Sequence, residues 1–135
     1  MSFEPTGLVE NHEQKLYGLR SAMTAWRIGA QDPFHEEVGY WLWDAGAKQV
    51  TRCFIVPRGV SLIAGGTVEP EATSFELVAE VGSSVYGSFS NPFLGRAFRF
   101  ERQGAVHYQQ NTALQIEGRE EPFEHTDENT HDRVK

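Results

Sequence analysis

The segment Phe34–Trp43, with the sequence FHEEVGYWLW, decides the fold prediction. Successive side chains of an extended strand point to opposite sides, so this segment has two distinct faces. One face carries Phe34, Glu36, Val38, Tyr40 and Leu42, and the other carries His35, Glu37, Gly39, Trp41 and Trp43. Either face is apolar enough to lie inside a domain. The segment is therefore predicted to be a half-buried β-strand.

The rest of the chain consists of similar short runs, separated by turns rich in Gly, Pro and Asp at roughly ten-residue spacing. No segment keeps apolar residues at helical spacing for long. The predicted strands are Glu13–Arg20, Met23–Ile28, Phe34–Trp43, Gln49–Val56, Val60–Glu69, Phe75–Val81, Val85–Ser88, Ala97–Glu101, Ala105–Gln109, Thr112–Glu117 and Phe123–Val134. Asn91–Leu94 is predicted to be one short helical turn, because Asn before Pro suits a helix start.

This pattern predicts an all-β fold, an antiparallel up-and-down β-barrel of about eight to ten strands. The interior of such a barrel can hold one small ligand. A chain of 135 residues is long enough for one domain, so residues 1–135 are expected to form a single ligand-binding unit.

The composition excludes several functional classes. A net charge of -7 disfavours binding to nucleic acid and to anionic membranes. Cys53 is the single cysteine, which excludes an intrachain disulfide and suits the reducing cytoplasm. The sequence contains no signal peptide and no apolar run of about 18 residues that would span a membrane. A cytoplasmic location is the expectation.

Histidines are the residues most able to bind a metal or to move a proton. His12, His107 and His131 lie in polar surroundings and are expected to face solvent. His35 begins a strand and is equally suited to a pocket or to the surface. His125 shares one side of its strand with Phe123 and Asp127.

If that side faces inward, Asp127 would hydrogen-bond the second ring nitrogen of His125 and orient it toward a metal. His125 and His131 are about 20 Å apart on a strand and cannot share one metal ion. Trp41 and Trp43 would either stack on a flat ligand or fill the core. No nucleotide-binding loop, nucleophile elbow or zinc-protease motif occurs.

The motif in Phe34–Asp44 resembles the His-x-Glu-x-Gly-Tyr strand of nitrobindin-like heme-binding β-barrels, also described as fatty-acid-binding-protein-like. Pro57–Val60, Asn91–Leu94 and Phe123–Thr130 match further pieces of this pattern in order, so the resemblance covers most of the chain. Studied members form antiparallel barrels that hold ferric b-type heme through a histidine near the C-terminus. They are associated with nitric oxide binding and with isomerisation of peroxynitrite to nitrate.

The resemblance implies that His125 is the proximal ligand of heme b iron and that His35 lies beside the heme pocket. Trp41 and Thr126 are further candidates for contact with the heme. In the better-studied branch the proximal histidine falls one residue later, at the position of Thr126. A bond from His125 would then require a bulge or a slipped register in its strand. The Gly-x-Trp-x-Gly strand with which members usually begin has no counterpart here. We therefore expect an incomplete barrel with an open edge beside Glu13–Arg20, where a second copy could pair to form a homodimer.

The leading hypothesis is a heme-binding barrel that binds nitric oxide or converts peroxynitrite to nitrate, the catalysis coming from the iron. The alternative is a barrel without heme that binds a fatty acid or another small apolar molecule, with Arg58 or another buried cation meeting the carboxylate. A third hypothesis is a remnant barrel whose exposed edge mediates self-association.

Overall fold

A computed structural model describes residues 1–12, 14–57, 59–80, 88–89, 93–103, 105–114 and 119–132. Its regular elements are all strands: β1 (Ser2–Asn11), β2 (Gln14–Ala25), β3 (His35–Asp44), β4 (Gln49–Val56), β5 (Val60–Thr67), β6 (Ser74–Glu80), β7 (Ser88–Phe89), β8 (Phe93–Gln103), β9 (Ala105–Leu114) and β10 (Phe123–His131). The predicted all-β class is confirmed. The described part of the chain holds no helix that is long and apolar enough to cross a membrane.

The strands form one antiparallel sheet in the order β1-β2-β3-β4-β5-β6-β8-β9-β10, while β7 pairs with β5 beside this path. This order follows the chain, which confirms the predicted up-and-down arrangement. Among the described residues no backbone pairing joins β1 to β10, so the barrel is not closed. We call the gap between these two strands the seam.

The expected open edge beside Glu13–Arg20 is wrong, because β1 occupies it. β1 pairs with β2 from Ser2 opposite Ala22 to Asn11 opposite Gln14, with an irregularity between Pro5 and Gly7. The sequence pattern hid this strand because Pro5 and Gly7 interrupt it, yet an edge strand tolerates both residues. The barrel is not closed among the described residues, and β1 and β10 are the two edge strands of its sheet.

Two pairs of predicted strands are continuous in the structure. The described parts of Glu13–Arg20 and Met23–Ile28 lie on β2 up to Ala25, and those of Ala105–Gln109 and Thr112–Glu117 lie on β9 up to Leu114. Glu13 and residues 115–117 lie outside the described residues, and residues 26–28 follow the end of β2. Polar residues interrupt both patterns locally. β2 and β9 are each paired with a neighbouring strand on both sides. These ladders satisfy the backbone N–H and C=O groups of the polar residues, so the strand continues past them.

The predicted helical turn at Asn91–Leu94 is wrong at Phe93 and Leu94, which begin β8. Asn91 and Pro92 lie outside the described residues. Of the predicted strand Val85–Ser88, only Ser88 is described, and it begins β7.

The strand register determines which face of β3 lies inside. Trp41 pairs with Leu19 on β2 and with Arg52 on β4, and the Arg52 side chain is 1% exposed. The face of His35, Glu37, Gly39, Trp41 and Trp43 is therefore the interior one. The core continues along β4, β5, β6 and β9 through Phe54, Val56, Val60, Leu62, Ala64, Leu77, Ala79 and Tyr108.

Gly39 allows β3 and β4 to approach closely beside this core. A Cβ atom at Gly39 would collide with the carbonyl oxygen of Cys53 and with the side chain of Phe54. We predict that Gly39→Ala lowers the free energy of unfolding by about 1–3 kcal/mol, the usual cost of overpacking. Urea unfolding followed by circular dichroism measures this.

Gly46→Ala is the matched control, because the nearest atom to its new Cβ would be Asp44 Oδ1 at 3.4 Å. Equal unfolding midpoints for the two variants would contradict the close approach at Gly39.

Candidate functional site

A cleft of about 710 Å³ lies at the seam, between β2 and β3 on one side and β9 and β10 on the other. His35, His125 and His131 all line it, together with Tyr108 and Met23. We call it the histidine cleft. Three imidazoles from two distant parts of the sequence thus meet around one space of ligand size.

The interior face of β10 carries Phe123, His125, Asp127, Asn129 and His131. These residues pair with the interior face of β9, where Tyr108, Gln110 and Thr112 are buried. The register of β9 with β10 is regular from Phe123 to His131. His125 therefore lies on the interior face without the bulge or slipped register that an iron bond from this position was expected to need.

His125 lies at the edge of the cleft with half of its side chain exposed. Its Nε2 atom is 2.9 Å from Asp127 Oδ1, which is the carboxylate contact expected from the sequence. Asp127 Oδ2 accepts a weaker hydrogen bond from Gln110 Nε2 at 3.4 Å. Asp127 thus holds the imidazole on the interior face and leaves one ring nitrogen available to a ligand.

Thr126 lies on the opposite face of β10, although it also borders the cleft. Its hydroxyl donates a hydrogen bond to Asn111 Oδ1 on β9 at 2.9 Å. Its role in heme binding stays a prediction.

His35 lies next to a buried ion pair that is formed by Glu37 and Arg52. Its Nε2 atom lies 3.6 Å from Glu37 Oε2, and Glu37 Oε1 accepts a hydrogen bond from Arg52 Nη2. The side chains of Glu37 and Arg52 are only 4% and 1% exposed. Burial lowers the pKa of Arg52, and the Glu37 carboxylate opposes this shift. The guanidinium also packs on two aromatic rings, 5.0 Å from Trp41 and 4.5 Å from Phe54.

His131 contradicts the expectation that it faces solvent. Its ring is half-buried, lines the cleft and stacks on Tyr108 with 5.4 Å between the ring centroids. Its buried Nε2 atom has no hydrogen-bond partner among the described residues. Burial lowers the pKa of His131, which favours the neutral ring. The even spacing from His125 to His131 was the sequence signal that both side chains lie on the same face of the strand.

His107 and His12 lie away from the cleft, as expected. His107 is on the outer face of β9, 3.0 Å from Thr130 Oγ1 and 3.1 Å from Glu128 Oε1. His12 is exposed in the turn between β1 and β2.

Tyr108 is a cleft residue that sequence analysis missed. Burial raises the pKa of its hydroxyl, which therefore stays protonated near neutral pH. The hydroxyl donates to Met23 Sδ at 3.4 Å and accepts from Asn129 Nδ2 at 3.3 Å. Sequence analysis also missed Arg52. The sequence signal for its burial was its place as the one arginine among apolar residues on the same face of Gln49–Val56.

Trp41 lies on the interior face but borders a different space. This second space, the apolar cavity, has a volume of about 570 Å³, and no described residue lines both it and the histidine cleft. The predicted contact between Trp41 and heme stays a prediction. Arg58, the cation considered for a fatty-acid carboxylate, lies outside the described residues.

The donors in the cleft fit heme better than a bare metal ion. Heme iron needs only an axial side chain such as one imidazole, whereas a catalytic zinc ion needs about three protein ligands. In the described part of the chain, no group of three or more His, Cys, Asp or Glu residues could hold a metal ion. His125 with its carboxylate partner matches the single imidazole that heme iron needs, and the His131 Nε2 atom, which has no hydrogen-bond partner among the described residues, borders the same cleft.

These features define a ligand-binding antiparallel β-barrel with an imidazole-lined cleft. The family model described as "THAP4-like, heme-binding beta-barrel domain" matches residues 7–133, and the chain belongs to this family. The resemblance read from the sequence is thus confirmed, and heme is the ligand of this barrel. No curated protein and no solved structure gives a significant match.

The buried ion pair behind His35 gives a stability prediction. Glu37→Gln removes the negative charge that faces Arg52 and should cost about 3–5 kcal/mol of unfolding free energy, since the buried cation loses its counter-ion. Replacing both residues, as Glu37→Leu with Arg52→Met, should cost much less, because neither charge is then buried. Denaturant unfolding of both variants measures the difference. A double variant less stable than Glu37→Gln would contradict this account.

Proposed function

We propose that the chain holds ferric b-type heme in the histidine cleft, where His125 would hold the iron. When bound there, heme would supply the iron chemistry for nitric oxide binding or for conversion of peroxynitrite to nitrate. The observation that carries this proposal is the hydrogen bond between His125 and Asp127 on the interior face of β10. The family assignment supports heme, and the sequence resemblance supports the two nitrogen oxides.

Asp127 orients His125 in this proposal. Its carboxylate accepts a hydrogen bond from one ring nitrogen, which fixes the tautomer and leaves the other nitrogen available to the iron. Heme supplies an iron at which a small nitrogen oxide binds, and the protein controls access and polarity around it.

His35 supplies the polar group on the opposite side of the cleft. The Nε2 atom of His35 lies 3.6 Å from the buried carboxylate of Glu37, which positions the ring at the border of the cleft. In this proposal the His35 ring is a polar contact for a bound nitrogen oxide. Tyr108 and His131 form a stacked pair of rings in the same cleft, which suits the flat surface of heme.

Two further features belong to the proposal. Cys53 is free, which suits the cytoplasm. The unpaired edges of β1 and β10 offer a place for a second copy to pair, so a homodimer stays a prediction.

The test is an absorption titration of the purified protein with ferric heme. We expect a saturable Soret band at one heme per chain, lost in His125→Ala and kept in His35→Ala and His131→Ala. Asp127→Asn should keep the band but weaken heme affinity by about 10–100-fold, because it removes the carboxylate that orients the ligand. Heme-loaded His35→Ala should convert peroxynitrite to nitrate more slowly than the parent protein.

His107→Ala is the matched control, since it removes an imidazole from the outer face of β9. Circular dichroism of each variant verifies the fold. A His125→Ala protein that is folded and binds heme as the parent does would remove His125 from the site.

A further inference from the structure

The apolar cavity has the size and shape of a small-molecule site. Its volume of about 570 Å³ lies within the range of about 300–1,000 Å³ that is usual for such sites. Residues of β1, β2, β3, β4 and β6 form its walls, and large side chains of β2, β3 and β6 among them are Tyr17, Leu19, Trp41, Trp43 and Phe75. Four of these five residues are aromatic.

A buried partition separates this cavity from the histidine cleft. Along the interior face of β3, His35 borders the cleft, Glu37 follows, and Trp41 and Trp43 border the cavity. Arg52 fills the space between, because its guanidinium is bonded to Glu37 and packs on Trp41. A molecule in the apolar cavity therefore does not need to displace one in the histidine cleft.

The cavity is open to solvent although its walls are apolar. Tyr17 is 53% exposed, Phe3 is 41% exposed and Leu19 is 40% exposed, whereas Leu62 and Leu77 in the core are at most 1% exposed. A local group of large apolar side chains in contact with water marks a binding site more often than a packing defect. Removing these surfaces from water would favour any apolar ligand of suitable shape.

The chemistry of the walls selects the ligand. Among the described residues that line the cavity there is no Asp, Glu, Lys, Arg or His, and their side-chain polar groups are the hydroxyls of Tyr17 and Thr73 and the indole nitrogens of Trp41 and Trp43. Arg52, at the floor, is already neutralised by Glu37. The net charge of -7 further disfavours an anionic ligand such as a fatty acid. Aromatic rings in the walls favour offset or edge-to-face contact with another flat ring.

We propose that the apolar cavity is a second binding site, which takes an uncharged molecule with an aromatic ring system independently of heme. The test uses two matched fluorescent probes, uncharged N-phenyl-naphthylamine and anionic anilinonaphthalene sulfonate, titrated into the purified protein. We expect saturable binding of the uncharged probe at one molecule per chain, with energy transfer from tryptophan. The sulfonate should bind at least about tenfold more weakly.

Two variants that fill the cavity, Val50→Trp and Ala72→Trp, test whether the probe binds there. Val50 lines the cavity opposite Trp43 on β3, and Ala72 lines it from an exposed loop, where a larger side chain carries little folding risk. Each variant should lower the affinity for the uncharged probe by at least about tenfold, which corresponds to about 1.4 kcal/mol of binding free energy. Ile55→Trp is the control on the same strand as Val50, because Ile55 is 61% exposed on the outer face, and it should bind the probe normally.

Heme titrations keep this proposal separate from the proposed function. His125→Ala should bind the probe as the parent does, and Val50→Trp should bind heme as the parent does. The second site would be overturned if the parent protein did not bind the probe, or if both Val50→Trp and Ala72→Trp bound it with unchanged affinity. It would also be overturned if heme abolished probe binding by competition. Loss of heme binding with intact probe binding would overturn only the proposed function.

Discussion

The ion pair between Glu37 and Arg52 organises the interior of this barrel. Two charges that are almost completely removed from water are tolerated only when each faces the other, so the pair keeps β3 and β4 in one relative register. Trp41 and Phe54 pack on the guanidinium and extend the pair into a polar and aromatic partition. The two spaces on either side of it consequently differ in chemistry, one with three imidazoles and one with aromatic and aliphatic walls.

The seam between β1 and β10 leaves the interior face of β10 accessible to water. A closed barrel would bury the interior face of β10, whereas here the polar residues of that face border an open cleft. His125 and Asp127 can therefore remain partly hydrated and still point inward. The unpaired edges carry a risk of association with other chains, which Pro5 and charged side chains such as Glu4 and Glu10 on β1 reduce.

Sequence reasoning reached the fold class, the family, and the pairing of His125 with Asp127, because each depends on local alternation or on a motif. It missed β1, whose Pro5 and Gly7 break the alternation while strand pairing restores it. It also missed His131 and Arg52. Their positions follow from the register between strands distant in sequence, and the polar neighbours of His131 concealed its inward side. Which face of β3 lies inside likewise required the pairing with β2 and β4.

The central claim is that heme occupies the cleft at the seam, with His125 on its iron, and leaves the apolar cavity free. Paramagnetic ferric heme broadens the nuclear magnetic resonance signals of nearby protons, so methyl spectra of the heme-loaded protein locate it directly. The account predicts strong broadening of the Met23 and Thr112 methyl signals, which come from the cleft, and much weaker broadening of Val50 and Ala72 signals. Strong broadening of Val50 and Ala72, with sharp Met23 and Thr112 signals, would place heme in the apolar cavity and contradict the account.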